Sequence, residues 1–264
     1  MWQYRILETG FFHADGGAMF GAIPKRAWKR KYSADEDNCC VLAMNCVLLW
    51  NKKHCILIDT GIGAKNLGSL SYYNFQDTQD ITKLIRREGF SPEDITDIIL
   101  SHLHFDHCGG CTYIDDNNQL QLTFPKALHH VGKEQWENYR APNPLEEDSY
   151  RRQDMLPVYE AGLLHLIEKN DELYPGLVLD IYSGHTPGQL VVSFSSEGNI
   201  IIVPGDVIPT KAHISNEWIS AYDTHPLESL AAKISFKEKL KNKQASILFY
   251  HDAYNKQLDY TFRT

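Results

Sequence analysis

The sequence predicts an α/β protein built as a four-layer sandwich, with two β-sheets face to face and helices outside. Three observations carry that expectation. Strands, helix, strand, helices, strands, helix and strand follow one another, so each half places a helix after several strands. The 264 residues, 43% apolar and 23% charged, have the balance of a globular chain that buries a large core without staples. Several short apolar runs end directly in Asp or His, which is how α/β proteins present chemistry at strand ends. Residues 1–264 are therefore read as a single domain.

Residues 2–13, with Tyr4, Ile6, Leu7, Phe11 and Phe12, read as the first strand. A glycine-marked loop, Asp15 to Gly21, follows, where glycine admits backbone shapes closed to other residues. Val41–Trp50 and His54–Ile58 read as strands joined by a polar Asn51-Lys52-Lys53 turn. The second of them ends in Asp59-Thr60-Gly61-Ile62-Gly63. Residues 78–88, apolar at 81, 84 and 85 and closed by Gly89, form a capped amphipathic helix. Ser91–Asp94 opens a helical turn, and Ile95–Leu100 is a compact apolar strand running into Ser101-His102. Residues 132–171 are charged and aromatic, with Trp136, Tyr139, Tyr150 and Tyr159, and are expected to be a helical insertion beside the site. Strands return at 177–182, 190–194 and 200–203. Leu227–Leu240 behind Pro226 is a helix, and Ile247–Tyr250 is the last strand.

The net charge of −8 excludes the basic footprint that a nucleic-acid partner requires. The one basic cluster, residues 25–31, meets Asp35, Glu36 and Asp37 at once and reads as a neutralised, solvated loop. The amino terminus lacks the pattern of a signal peptide, and no apolar run reaches a membrane span. Cys39, Cys40, Cys46, Cys55, Cys108 and Cys111 are accordingly expected as thiols in a reducing cytoplasm. A small-molecule substrate is the expected partner, with no nucleic acid and no membrane; monomer and homodimer are both compatible with the sequence.

The chemistry concentrates in His102-Leu103-His104-Phe105-Asp106-His107. On a strand, residues 102 and 104 face one side, and a bend at Phe105 would bring Asp106 and His107 toward the same cavity. Four ligand-type groups on one strand end exceed what one ion takes from such a segment, so two adjacent ions fit better. Further nitrogen and oxygen ligands stand at later strand ends: His185 in Ser183-Gly-His-Thr-Pro-Gly188, Asp206 in Pro204-Gly-Asp206, and His251 after the last strand. Together they suit borderline divalent metals.

That set, in that order, resembles the ligand set of the metallo-β-lactamase superfamily. The resemblance implies two divalent ions, with Zn²⁺ the expected metal and Mn²⁺, Fe²⁺ and Co²⁺ open. It implies that His102, His104 and His185 hold one ion, that Asp106, His107 and His251 hold the other, and that Asp206 bridges them. Asp59 would orient a ligand by hydrogen bonding. His104, where the oxygen-reducing di-iron branch carries a carboxylate, and Asp206, which classical β-lactamases lack, leave the general hydrolase branches.

Among those branches, Asp15-Gly-Gly-Ala-Met-Phe-Gly-Ala-Ile-Pro24 and Gly205-Asp-Val-Ile-Pro-Thr-Lys-Ala-His213 resemble the YtnP-like group of quorum-quenching lactonases, which open N-acyl homoserine lactones. The resemblance implies that Met19 and Phe20 line an apolar groove for the acyl chain; core packing is the equal alternative. It also implies hydrolysis by a water activated between the two ions, with Asp106 passing a proton to the leaving alkoxide. In well-studied members a tyrosine stands three positions after the bridging aspartate; here that position is Pro209, and Tyr222 is the candidate substitute. A related hydrolase of esters, thiolesters or phosphotriesters is the alternative. Cys108-Gly-Gly-Cys111 has no second pair to complete a zinc knuckle and reads as structural. His213 is the one remaining histidine close to a ligand in sequence.

Overall fold

The structure is a computed structural model and describes residues 1–262. The first half supplies β1 (Gln3–Asp15), β2 (Cys39–Trp50), β3 (Cys55–Ile58) and β4 (Asp97–Ile99), a hairpin of β5 (Thr112–Ile114) and β6 (Leu120–Leu122), then β7 (Leu128–Gly132) and β8 (Leu164–Ile167). The second half supplies β9 (Asp171–Tyr174), β10 (Leu177–Tyr182), β11 (Gln189–Ser196), β12 (Asn199–Val203), β13 (Gln244–Leu248) and β14 (Gln257–Thr261). One six-stranded sheet runs β1-β2-β3-β4-β7-β8 and the other β14-β13-β12-β11-β10-β9. In the first sheet β3, β4, β7 and β8 are mutually parallel; in the second, β12 and β13 are.

The layers follow from alternation along the strands. In β2 the side chains of Val47 and Leu49 point to the core between the sheets, whereas Leu42, Met44, Cys46 and Leu48 point to the outer core. Ile56 and Ile58 of β3 likewise face inward and Cys55 and Leu57 outward. Both faces of these strands are apolar because both are covered, one by the second sheet and the other by the outer helices and loops. The inner core joins them to Leu179, Leu190, Val192, Ile201 and Val203 of the second sheet.

Among the described residues seven α-helices flank the sheets: α1 (Gly16–Phe20), α2 (Lys25–Trp28), α3 (Ile81–Arg87), α4 (Phe105–Cys108), α5 (Lys133–Arg140), α6 (Arg152–Glu160) and α7 (Pro226–Lys239). Leu84 and Ile85 of α3, Trp136 of α5 and Met155 and Val158 of α6 pack outside the first sheet. Ala232 and Phe236 of α7 pack on Val191, Ile202 and Ile247 outside the second. Helix, sheet, sheet and helix give the four-layer α/β sandwich that the element order predicts.

The local differences have tertiary causes. The glycine-marked loop is instead helix α1, because Asp15 accepts hydrogen bonds from the Gly17 and Ala18 amides and caps it. The basic stretch read as a solvated loop contains α2, anchored by Trp28, which is buried and stacks on Phe20 at 4.8 Å. In the stretch expected to be a helical insertion, α5 and α6 occupy 133–160, but Leu164–Ile167 is strand β8, paired with β7. β7, Leu-His-His-Val-Gly, lacks the apolar alternation that marks strands in sequence, and β8, Leu-His-Leu-Ile, is only four residues long. Among the described residues, no helix is long and apolar enough to cross a membrane.

Phe236 is 3% exposed at the centre of the outer core of the second sheet. Phe236→Ala should lower unfolding free energy by about 3–5 kcal/mol, measured by urea denaturation in the presence of chelator. A loss below about 1 kcal/mol would show that α7 does not depend on this contact.

Candidate metal centre

The sequence-predicted ligands converge at the carboxyl ends of the parallel strands. Asp59 follows β3, residues 101–107 follow β4, Asp206 follows β12 and His251 follows β13, while His185 comes from the β10–β11 turn. Between β4 and α4 the chain is irregular, and the expected bend at Phe105 is the start of α4, with His104 as its N-cap. Two glycines make the approach possible. Gly205 has φ +51°, and a Cβ there would lie 2.9 Å from the Cβ of Ser101; Gly184 has φ +141° and closes on the Ser229 backbone.

Each histidine of the set is held by the nitrogen that faces away from the centre. His104 Nε2 donates to Glu146 Oε1 at 3.1 Å, His107 Nδ1 to Asp59 Oδ2 at 3.0 Å and His185 Nδ1 to Asp223 Oδ1 at 2.9 Å. His251 Nδ1 donates to the carbonyl of Ala43 at 2.9 Å. Ser101 gives its single hydroxyl hydrogen to Asp59 Oδ2 at 2.7 Å, so its oxygen accepts from His102 Nδ1 at 3.2 Å. Ionised carboxylates and carbonyls only accept, so every outer nitrogen carries the proton. The inner nitrogen of each neutral ring is therefore a lone pair. Asp59 itself sits at φ +57° and also accepts from the Ser101 amide at 2.7 Å, a left-handed conformation that aspartate tolerates.

The inner atoms face one another. His104 Nδ1 lies 3.0 Å from His102 Nε2 and 3.2 Å from His185 Nε2. His107 Nε2 lies 3.3 Å from His251 Nε2 and 3.7 Å from Asp106 Oδ2. Asp206 stands between the two groups, with Oδ2 3.3 Å from both His185 Nε2 and His251 Nε2 and Oδ1 3.6 Å from His107 Nε2. Donors around a tetrahedral cation bound at roughly 2.0–2.1 Å are about 3.3 Å apart, the spacing of these atoms. Lone pairs this close repel unless a cation lies among them. Asp206 is buried, and its Oδ1 has no hydrogen-bond partner among the described residues. These residues fit a pair of divalent ions, the trio His102, His104 and His185 holding one and Asp106, His107 and His251 the other.

The electrostatics agree. Burial, then His107 and His104, hold His102 well below the ordinary imidazole value. Burial also lowers His185 and His251, but the Asp206 carboxylate outweighs it and raises both to about 9, helped at His185 by Asp223, so without a cation at the centre these two rings take up a proton in its place. Burial would raise Glu146, yet its hydrogen bonds from His104, Thr186 and Tyr150 bring it down to about 2. Burial would also raise Asp206, but His251, His107 and His185 hold it well below the ordinary carboxylate value, so it and Glu146 remain charged and call for positive charge at the centre.

A cavity of about 430 Å³ opens on His104, Asp106, His185, Asp206 and His251, within the size range of small-molecule sites. Phe12, Leu42, Tyr73, Phe105 and Leu145 form much of its apolar wall. Met19, Tyr222 and Pro209 also line it. Phe20 does not: it is fully buried, stacked between Trp28 and His213, because both rings lie parallel to its own at 4.8 Å. His213 is likewise a packing residue, bonded to Thr210 Oγ1 and the Met19 carbonyl. Cys108 and Cys111 are free and buried, and burial pushes the Cys111 thiol up to about 12. Glu146, Asp223 and Ser101 were not singled out from the sequence, since an acid or serine in a loop carries no spacing signal. Asp223, in Ala221-Tyr222-Asp223, needed the fold to bring it to His185.

Fold and donor set together define a binuclear metallo-hydrolase: the chain belongs to the metallo-beta-lactamase superfamily, whose family model matches residues 41–251. It is a metal-dependent hydrolase. Among characterised proteins it is similar to an N-acyl homoserine lactonase of Bacillus sp., 28% identical over 221 residues that cover 78% of this chain and 80% of that one. Among solved structures, a probable metal-dependent hydrolase from Staphylococcus aureus superposes with a TM-score of 0.89 at 29% identity, covering 99% and 93% of the two chains. AidC, described as a dizinc quorum-quenching lactonase in complex with a product, superposes with a TM-score of 0.77 at 25% identity, covering 97% and 89%.

Asp59→Asn replaces an acceptor of three hydrogen bonds with a group that also donates. It should weaken metal retention by about 10–100-fold, read as the shift in a chelator titration. An unchanged titration would mean that Asp59 supports the turn alone. His104→Ala should abolish hydrolysis; retained turnover would show that the centre is not catalytic.

Proposed function

We propose that this protein opens the lactone ring of N-acyl homoserine lactones, using two zinc ions held as described above. The observation that carries this reading is the joining of an apolar-walled cavity to the open side of the ligand cluster, in a chain similar to lactonases over most of its length. An acyl chain needs such a wall, and the polar lactone head needs the carboxylate and imidazole end.

Zinc supplies an acidified water and a Lewis acid for the ester carbonyl when bound. The remaining tasks fall to the chain. Phe12, Met19, Leu42 and Tyr73 hold the acyl chain and keep bulk water from the reacting ester. Asp106, 7% exposed and lining the cavity, takes up the proton that the attacking water loses and delivers it to the ring oxygen as the acyl carbon–oxygen bond breaks. The hydroxyl from water stays on the acyl carbon, and the product is an N-acyl homoserine carboxylate. Burial pushes the Tyr222 phenol up to about 12, so it remains a hydrogen-bond donor over the cavity. It stands in for the tyrosine that Pro209 excludes, donating to the lactone carbonyl.

Zinc-loaded protein should convert a panel of acyl homoserine lactones to products one water heavier, measured by mass spectrometry, with turnover abolished by chelation. Intact lactones beside hydrolysed phosphotriesters or thiolesters would transfer the assignment to that chemistry and leave the hydrolase class standing. Tyr222→Phe should lower kcat/KM by roughly 10-fold or more, as for loss of one donor to a developing oxyanion. Unaltered kinetics would make Tyr222 a wall residue only.

A further inference from the structure

We propose that Glu146 is a positioning residue for one of the two ions, the one held by His102, His104 and His185. It lies outside the strand ends that carry the ligands, in the segment between α5 and α6, 42 residues from His104 in sequence. The local sequence builds the turn that presents it. Asn143 Oδ1 accepts from the Leu145 amide at 2.9 Å, and the Glu146 amide donates to the Asn143 carbonyl at 3.1 Å. Pro144 stiffens the turn between them.

Glu146 is 2% exposed, and its carboxylate meets no lysine or arginine among the described residues. Burying a charge in this way is costly unless hydrogen bonds replace water. Four do so. His104 Nε2 at 3.1 Å and the Tyr150 hydroxyl bond to Oε1; Asn138 Nδ2 at 2.9 Å and Asn143 Nδ2 at 3.1 Å bond to Oε2. The Tyr150 hydroxyl also lies 2.9 Å from Thr186 Oγ1, the neighbour of ligand His185. One buried network therefore grips His104 directly and the turn bearing His185 beside it. Among the described residues this network does not reach His107 or His251, whose outer nitrogens go to Asp59 and Ala43.

A turn-closing role alone would not require a carboxylate. Glutamine is nearly isosteric but cannot serve both sides, because Oε1 and Oε2 each face donors and one amide end of glutamine is itself a donor. Glu146→Gln therefore sets a donor against either His104 or the two asparagines. The ring of His104 then loses its fixed tautomer and direction. The proposal rests on the two-ion site and not on the lactone reading, since its readout is metal retention, which an altered substrate would leave unmoved.

The test titrates zinc-loaded wild type, Glu146→Gln and Tyr150→Phe with a chelator and counts the ions retained per chain, with the spectrum of the cobalt-substituted proteins as a second readout. In Glu146→Gln one ion should be held about 10–100-fold more weakly and the other as in wild type, with a changed cobalt spectrum. Tyr150→Phe, which leaves the Glu146–His104 bond in place, should weaken the same ion by less. Two ions retained with wild-type affinity in Glu146→Gln would overturn the proposal, as would equal weakening of both ions, which marks general loosening. If Glu146→Gln does not fold, Tyr150→Phe decides: site-selective loss supports the proposal and an unchanged titration sinks it.

Discussion

Five imidazoles that each surrender one nitrogen to a fixed acceptor are the constraint on which the rest of this structure depends. An imidazole is useful to a cation only when its proton is committed elsewhere and its plane is aimed. Here Ser101, Glu146, Asp59, Asp223 and the Ala43 carbonyl perform that service, one acceptor for each ring. The inner nitrogens then have no partner but one another and the carboxylates of Asp106 and Asp206. Neighbouring lone pairs and an orphaned carboxylate oxygen would be a large liability in an ordinary core. A fold that maintains them at about 3 Å is organised around positive charge.

The sandwich explains how acceptors so far apart in sequence reach the same place. Parallel β3 and β4 deliver Asp59 and Ser101 side by side, so an acid at one strand end orients ligands at the next. Parallel β12 and β13 repeat the arrangement in the second sheet with Asp206 and His251. Steric room is made where the two halves touch. The backbone at Gly205 passes so near Ser101 that a Cβ there would crowd the Ser101 side chain at 2.9 Å, just where the ligands must meet.

How much of this could be read from the sequence depended on how local the signal was. The ligand run at 102–107 and the strand ends at 185, 206 and 251 carry their chemistry in residue type and position, and the fold brings them together. Both sheets were legible in their central strands, whose runs of Val, Ile and Leu reflect burial on two faces. Strand β7 was not, because its sequence, Leu-His-His-Val-Gly, hides two buried histidines, one of them paired with Asp97 at 2.8 Å. Phe20 was misplaced because an aromatic beside a glycine turn reads the same in a groove as in a core. Its partners, Trp28 and His213, are 8 and 193 positions away, and only the folded chain shows that they enclose it.

The loop acids Glu146 and Asp223 were the most consequential omissions, and they have a common physical origin. An acid that orients a histidine needs no fixed spacing from it; what it needs is a rigid turn and shelter from water. Glu146 has both, in the Asn143-Pro144 turn beneath Leu145. Asp223 has them beside the turn that leads to α7, where the Thr224 and His225 amides bond the carbonyls of His185 and Gly184. Both acids also border the cavity, as do their neighbours Leu145 and Tyr222. The segments that shape the substrate space are therefore the same ones that hold His104 and His185 in place. Variation there to suit a new substrate cannot be free of consequence for the metal centre. This coupling confines change to side chains such as Leu145 and Tyr222, which face the cavity without touching a ligand's anchoring hydrogen bond.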